Sequence, residues 1–200
     1  MTKTLYLYVA AACLFTACSS STQQPPQQTI KAASNTNPDA GVIADFKQRV
    51  DDYVKLRDKA ENKAPVELEK KSQPAEIVTA EKSLAAYVRA ARATAKRGDF
   101  FTPATQAMFR RLLRPPLTKG PDAADNKAII KDDAPAPKDV PFKVNAEYPK
   151  EVALSTVPPD VLAALPTLPE DVQYRFAGKH LLLFDAKANL IIDFMLNAMP

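Results

Sequence analysis

Proline placement constrains this chain more than any other feature. Eighteen prolines and only four glycines punctuate two hundred residues. Proline fits the first turn of a helix and disfavours helix in the residue before it. The prolines therefore mark out windows in which apolar periodicity can be read. Asn37-Pro38-Asp39 reads as a helix start, with Asn as cap, Pro in the first position and an acid in the first turn. Ile43, Phe46, Val50, Tyr53 and Ala60 follow at three- and four-residue spacing, which predicts an amphipathic helix to about Lys63. Pro74 opens a second helix, capped by Ser72 or Gln73, with Ile77, Ala80, Leu84, Val88, Ala91 and Ala95 as its apolar stripe and Gly98 as its C-terminal cap. The short connection makes these two an antiparallel hairpin.

Thr102-Pro103 starts a third helix that carries Met108, Phe109, Leu112 and Leu113 inward, with Pro115-Pro116 expected to end it. Phe100 and Phe101 should plug the end of the hairpin. The expected core is Phe46, Tyr53, Ile77, Leu84, Val88, Met108 and Leu112. Residues 123–131 suit a short helix, 132–141 a solvated linker rich in Pro, Ala, Asp and Lys, and 159–165 another short helix. The C-terminus changes period. Val172, Tyr174 and Phe176 alternate with polar residues, Gly178-Lys179 is a two-residue hairpin turn, and 180–185 and 190–196 read as two more strands. That turn sets Tyr174 opposite Leu183, Phe176 opposite Leu181 and Arg175 opposite Leu182. The expected fold is α+β and mainly helical: a helical hairpin plus a third helix, with a small C-terminal three-stranded antiparallel meander. Its parts are a leader at 1–17, a tether at 18–37, a helical domain at 38–116, a connection at 117–149, and a short helix plus meander at 150–200.

The leader fixes the expected compartment. Lys3 precedes an apolar run over 5–15 that is too short to span a bilayer and has the form of a secretory signal. Leu14-Phe15-Thr16-Ala17-Cys18 resembles the lipobox of bacterial lipoproteins, although Phe15 replaces the usual Leu, Val or Ile. The resemblance implies acylation of Cys18 and cleavage before it. Cys13 is the competing cysteine, but cutting there would leave Leu14-Phe15 in the mature chain. An ordinary cleaved signal with a free Cys18, or a packed N-terminal helix, is the alternative. With the leader gone, Cys18 has no partner for an intramolecular disulfide. The polar stretch before Asn37 cannot bury enough surface to offset its ordering entropy, so it reads as a flexible tether.

The formal charge is +4, of which Lys3 supplies one unit. This is too little to argue for nucleic acid. It is unevenly spread: Arg89, Arg92, Lys96, Arg97, Arg110, Arg111 and Arg114 face only Asp99 within 89–114, whereas acids exceed bases from Pro115 onward. This basic run is the candidate anion-binding face, for anionic lipid, lipopolysaccharide, cell-wall polymer or an acidic partner. A solvated helical face is the plain reading of the same pattern. His180, the sole histidine, suggests an acid–base trio with Arg175 and Asp193, but no paired nucleophile accompanies it, so no catalytic residue is assigned. Asp122, Asp125, Asp132 and Asp133 lack the glycine and closing glutamate of a calcium loop, and zinc spacings are absent. No glycine-rich phosphate loop occurs. No metal or cofactor is therefore expected.

The stretches Arg97-Gly98-Asp99-Phe100-Phe101-Thr102-Pro103, Phe109-Arg110-Arg111-Leu112-Leu113, Leu165-Pro166-Thr167-Leu168-Pro169, Tyr174-Arg175-Phe176 and Asn189-Leu190-Ile191-Ile192-Asp193 are similar to those of uncharacterised bacterial envelope lipoproteins. That likeness carries no activity. It implies a membrane partner through the N-terminal lipid, on the periplasmic side, and at the outer membrane if the cell has two. The expected role is a non-enzymatic binding or scaffold module. Anionic-surface binding through 89–114 is the first alternative and an envelope enzyme the second.

Overall fold

The computed structural model describes residues 37–63, 73–133, 142–148 and 155–200. The leader, both cysteines, the tether before Asn37, residues 64–72 of the helical connection, Asp133's side chain and most of the 132–141 linker lie outside the described residues. The fold is α+β and mainly helical: α1 (Ala40–Glu61), α2 (Pro74–Ala91), α3 (Pro103–Thr118), α4 (Ala123–Asp133) and α5 (Pro159–Ala163) precede β1 (Val172–Ala177), β2 (His180–Asp185) and β3 (Leu190–Met195). The strands form one antiparallel sheet in the order β1-β2-β3.

Local chemistry explains most helix boundaries. Asn37 is not the cap of α1: Asp39 holds that position and regular helix begins at Ala40, while the Asn37 Oδ1 accepts the Asp39 N–H at 2.9 Å in the turn that precedes it. Gln73 caps α2, and the Glu76 carboxylate reaches back to the Gln73 N–H at 2.7 Å. The Thr102 hydroxyl accepts the Thr105 N–H to open α3.

Two expected stops are corrected. Pro115 and Pro116 lie inside α3, which runs on to Thr118. Near a C-terminus the two missing N–H groups leave only the Arg111 and Leu112 carbonyls without helical donors. The last turn is held by buried Leu117, by the Thr118 hydroxyl on the Arg114 carbonyl, and by the Lys119 and Gly120 N–H groups on the Pro115 carbonyl. Gly98 does not cap α2. That helix stops at Ala91, where the Asn145 side-chain amide donates to the Arg92 carbonyl at 2.8 Å. Gly98, at φ +92°, instead turns the following loop.

The hairpin register follows the sequence alternation. Gly178 takes φ +57°, and Tyr174 pairs with Leu183, Arg175 with Leu182 and Phe176 with Leu181. One face of the sheet, with Tyr174, Phe176, Leu181, Leu183, Leu190 and Ile192, shares a single core with the helices. Phe46 of α1 meets Phe101 and Phe109, and Phe109 meets Tyr174 at 5.7 Å between ring centres. Phe100 and Phe101 are both buried, against Tyr53 and Phe46. Leu112 of the expected core is only partly buried, packed against the cluster, and Ile77 is left outside it. Ile77 is 47% exposed, one turn into α2, before that helix meets the core at Ala80 and Leu84.

The opposite face is also buried. Leu182, Phe184, Ile191 and Phe194 pack under Phe142, Val144 and Tyr148. Asn145 donates its N–H to the Ile191 carbonyl, and Ile191 donates back to Ala146, so residues 142–148 form a strap along β3. On the other edge Ser155 donates to the Phe176 carbonyl at 3.1 Å.

Candidate functional site

A bulge in β3 brings Asp193 into the buried layer between helices and sheet. Leu183 pairs with Asp193 and Phe184 with Ile191, so Ile192 is the extra residue. Ile192 and Asp193 consequently both belong to the helical side, while Ile191 and Phe194 pack on the outer face. Asp193 is fully buried. Its carboxylate accepts the N–H groups of Gly98, Phe100 and Phe101 at 2.9–3.1 Å and that of Phe194 at 2.8 Å. Burial pushes its pKa up, although each of those four N–H groups pulls it down. The carboxylate shapes the 98–101 loop, and this loop seats Phe100 and Phe101 in the core.

A second buried carboxylate, Asp185, closes the β2–β3 turn by accepting the Lys187 and Ala188 N–H groups at 2.9 Å. The Tyr53 hydroxyl of α1 donates to it at 2.5 Å. Burial, together with the Asp185 charge, pushes the Tyr53 pKa far up and keeps the phenol protonated. Arg57, one turn along α1, lies 3.8 Å from both Asp185 and Asp171 and is 5% exposed. Its Nε and Nη1 have no hydrogen-bond partner among the described residues.

The basic run splits in two. Arg92 is buried: it donates to Asn145 Oδ1 at 2.7 Å and to the Ile192 carbonyl at 3.1 Å, and its guanidinium lies over the Tyr53 and Phe100 rings. Desolvation pulls its pKa down. Arg89 donates to the Asn145 carbonyl and pairs with Glu147 at 2.5 Å. Arg97 lies over Phe194, and Lys96 is exposed in the same loop. Arg89 and Arg92 thus tie α2 to the strap and the bulge.

The other half is on α3. Arg110, Arg111 and Arg114, at helical spacings of three and four, line one hollow of about 280 Å³ with Pro115 and Lys119. Arg110 touches Gln106 and the Leu196 carbonyl, and Arg111 pairs with Asp39. Arg114 and Lys119 are exposed, and their side chains have no hydrogen-bond or ion-pair partner among the described residues. Four cations around one concavity can attract an anion with several oxygens.

The His180 trio is not assembled. His180 Nδ1 accepts the Asn197 N–H at 3.1 Å and its ring meets Phe142, and burial lowers its pKa. Arg175 donates to Gln173. Asp193 turns to the helical side because of the bulge. A separate, mostly apolar groove of about 680 Å³ lies between α5 and β1, with Val157, Leu162, Pro166 and Leu168 in its walls. Among the described residues no group of three or more His, Cys, Asp or Glu side chains is placed to hold a metal ion, and no helix is long and apolar enough to cross a membrane.

Sequence reasoning missed Lys119, which the continuation of α3 brings beside Arg114. It also missed Arg57, Arg92 and Asp185 as interior groups. Spacing held a signal for the arginines: Arg57 follows Tyr53 by four, and Arg92 follows Val88 by four, along the apolar stripes. In comparisons with known proteins, no family model, no curated protein and no solved structure matches the chain.

Proposed function

We propose that this chain is a lipid-anchored cell-envelope protein that acts without catalysis, as a binding or scaffold module held beside a membrane. The observation that carries the reading is Leu14-Phe15-Thr16-Ala17-Cys18 at the end of a short apolar run that follows Lys3. Buried methylenes of an acyl group each contribute about 0.8 kcal/mol to membrane attachment, and two chains hold a protein stably. The anchor is on the periplasmic side, and Ser19 after Cys18 is compatible with outer-membrane sorting in a cell with two membranes. The interior supports a scaffold role. Asp185, Asp193 and Arg92 engage the chain's own backbone and side chains, which fixes the helices to the sheet.

Metabolic labelling with a palmitate analogue tests the anchor. Label should persist in Cys13→Ala and vanish in Cys18→Ala. Loss in Cys13→Ala alone would move the anchor, and label in neither the parent chain nor the variants would end the lipoprotein reading. The alternative of anionic-surface binding is favoured by the hollow on α3 alone, because Arg89 and Arg92 are committed within the fold.

A further inference from the structure

We infer that the hollow at the C-terminal half of α3 is a membrane-facing patch that seats the phosphate headgroups of an anionic bilayer. The inference deepens the lipid-anchored reading by adding a second, electrostatic contact with the membrane. It starts from a contrast among the cations. Arg92 is internally held, Arg89 is paired with Glu147, and Arg49 and Lys55 pair with Asp45 and Asp52 on α1. Arg110, Arg111, Arg114 and Lys119 instead surround one open concavity, and among the described residues Asp39 is the acidic side chain in contact with them.

That contact also locates the patch. Asp39 stands two residues past Asn37, where the described chain begins, and it pairs with Arg111, whose side chain stays 59% exposed. The preceding chain therefore joins the fold beside the cations. About twenty residues of sequence separate Cys18 from Asn37, and linkers of that length in general reach roughly 25 Å. An anchor at Cys18 would keep this end of the molecule near the lipid. Charge attraction acts only within about 10 Å at moderate salt, so proximity decides which cations can work. The lipid would set distance and the patch would set orientation, turning α3 toward the headgroups.

Vesicle partition tests this with the full chain carrying Cys13→Ala and Cys18→Ala, so no acyl group contributes and the result is independent of whether Cys18 is modified. The readout is the ratio of binding to phosphatidylcholine vesicles with and without phosphatidylglycerol, which cancels the apolar run common to all samples. Each cation at an anionic surface accounts for about fivefold, so Arg110→Gln/Arg114→Gln/Lys119→Gln should reduce the preference roughly a hundredfold. Asp39→Asn should raise it by about fivefold, a gain that misfolding cannot imitate. Arg89→Gln/Lys96→Gln should leave it nearly unchanged. An unchanged preference in the triple variant, or an equal loss in the Arg89/Lys96 variant, would overturn the patch. Release by inorganic phosphate but not by chloride at equal ionic strength would make the hollow a free-phosphate site and would also overturn the bilayer assignment.

Discussion

The layer between helices and sheet and the outer face of α3 use charge in opposite ways. In the layer, Arg92, Asp185 and Asp193 each meet several partners, mostly backbone, and they position loops. On α3, Arg114 and Lys119 meet none among the described residues. Burial makes the first set costly to disturb, because a partner left behind stays desolvated. Water makes the second set nearly free to change. The same residue type is thus structural in one place and available to a ligand in another, and residue counts along the chain do not distinguish the two.

The sharpest way to break that contrast is Arg92→Met against Arg114→Met. The first removes the donors to Asn145 and Ile192 and should lower unfolding free energy by about 3 kcal/mol in urea titrations. The second should leave the midpoint in place. Equal effects would erase the distinction. Tyr53→Phe comes next. It deletes the hydroxyl that holds Asp185 and should cost about 2 kcal/mol, the scale of a hydrogen bond to a charged acceptor.

Two smaller effects appear in pH profiles of the denaturation midpoint. Asp193 has a raised pKa in the fold. Its stabilising contribution is present below the ordinary carboxylate range and is lost as pH rises through the folded value. Asp193→Asn should abolish that slope; an unaltered slope would assign it elsewhere. His180 has a lowered pKa. Its contribution is present above the ordinary imidazole range and is lost as pH falls through the folded value, when protonated Nδ1 no longer accepts the Asn197 N–H. His180→Gln should flatten this limb, the smallest of the four changes.

Sequence patterns carried the strands furthest. Gly178-Lys179 and the alternation through Tyr174 and Phe176 specify the β1–β2 register because a one-residue slip would turn the whole apolar set outward. Helix starts were equally legible at Gln73-Pro74 and Thr102-Pro103, whereas α1 begins two residues after Pro38. Less was legible where tertiary contacts override local preference. Pro115 and Pro116 stay helical because Leu117 is anchored in the core. The hollow on α3 was half legible: the Arg110, Arg111 and Arg114 spacing is in the sequence, but Lys119 joins only once the helix passes its prolines. Arg92 was read as part of an exposed run because its rings, amide and bulge carbonyl come from four distant segments.

Ile192 has a consequence beyond breaking the β3 pairing. Removing it would give a more regular strand, with Leu190 and Asp193 still facing inward and Ile191 and Phe194 still outward. By strand-pattern criteria the shortened protein would look improved. It would also lose the spare carbonyl that receives Arg92, leaving a buried guanidinium short of an acceptor and α2 without its hold on the sheet. The irregular residue acts as a docking point made of main chain alone, so its side chain is open to conservative exchange while its presence in the count is not.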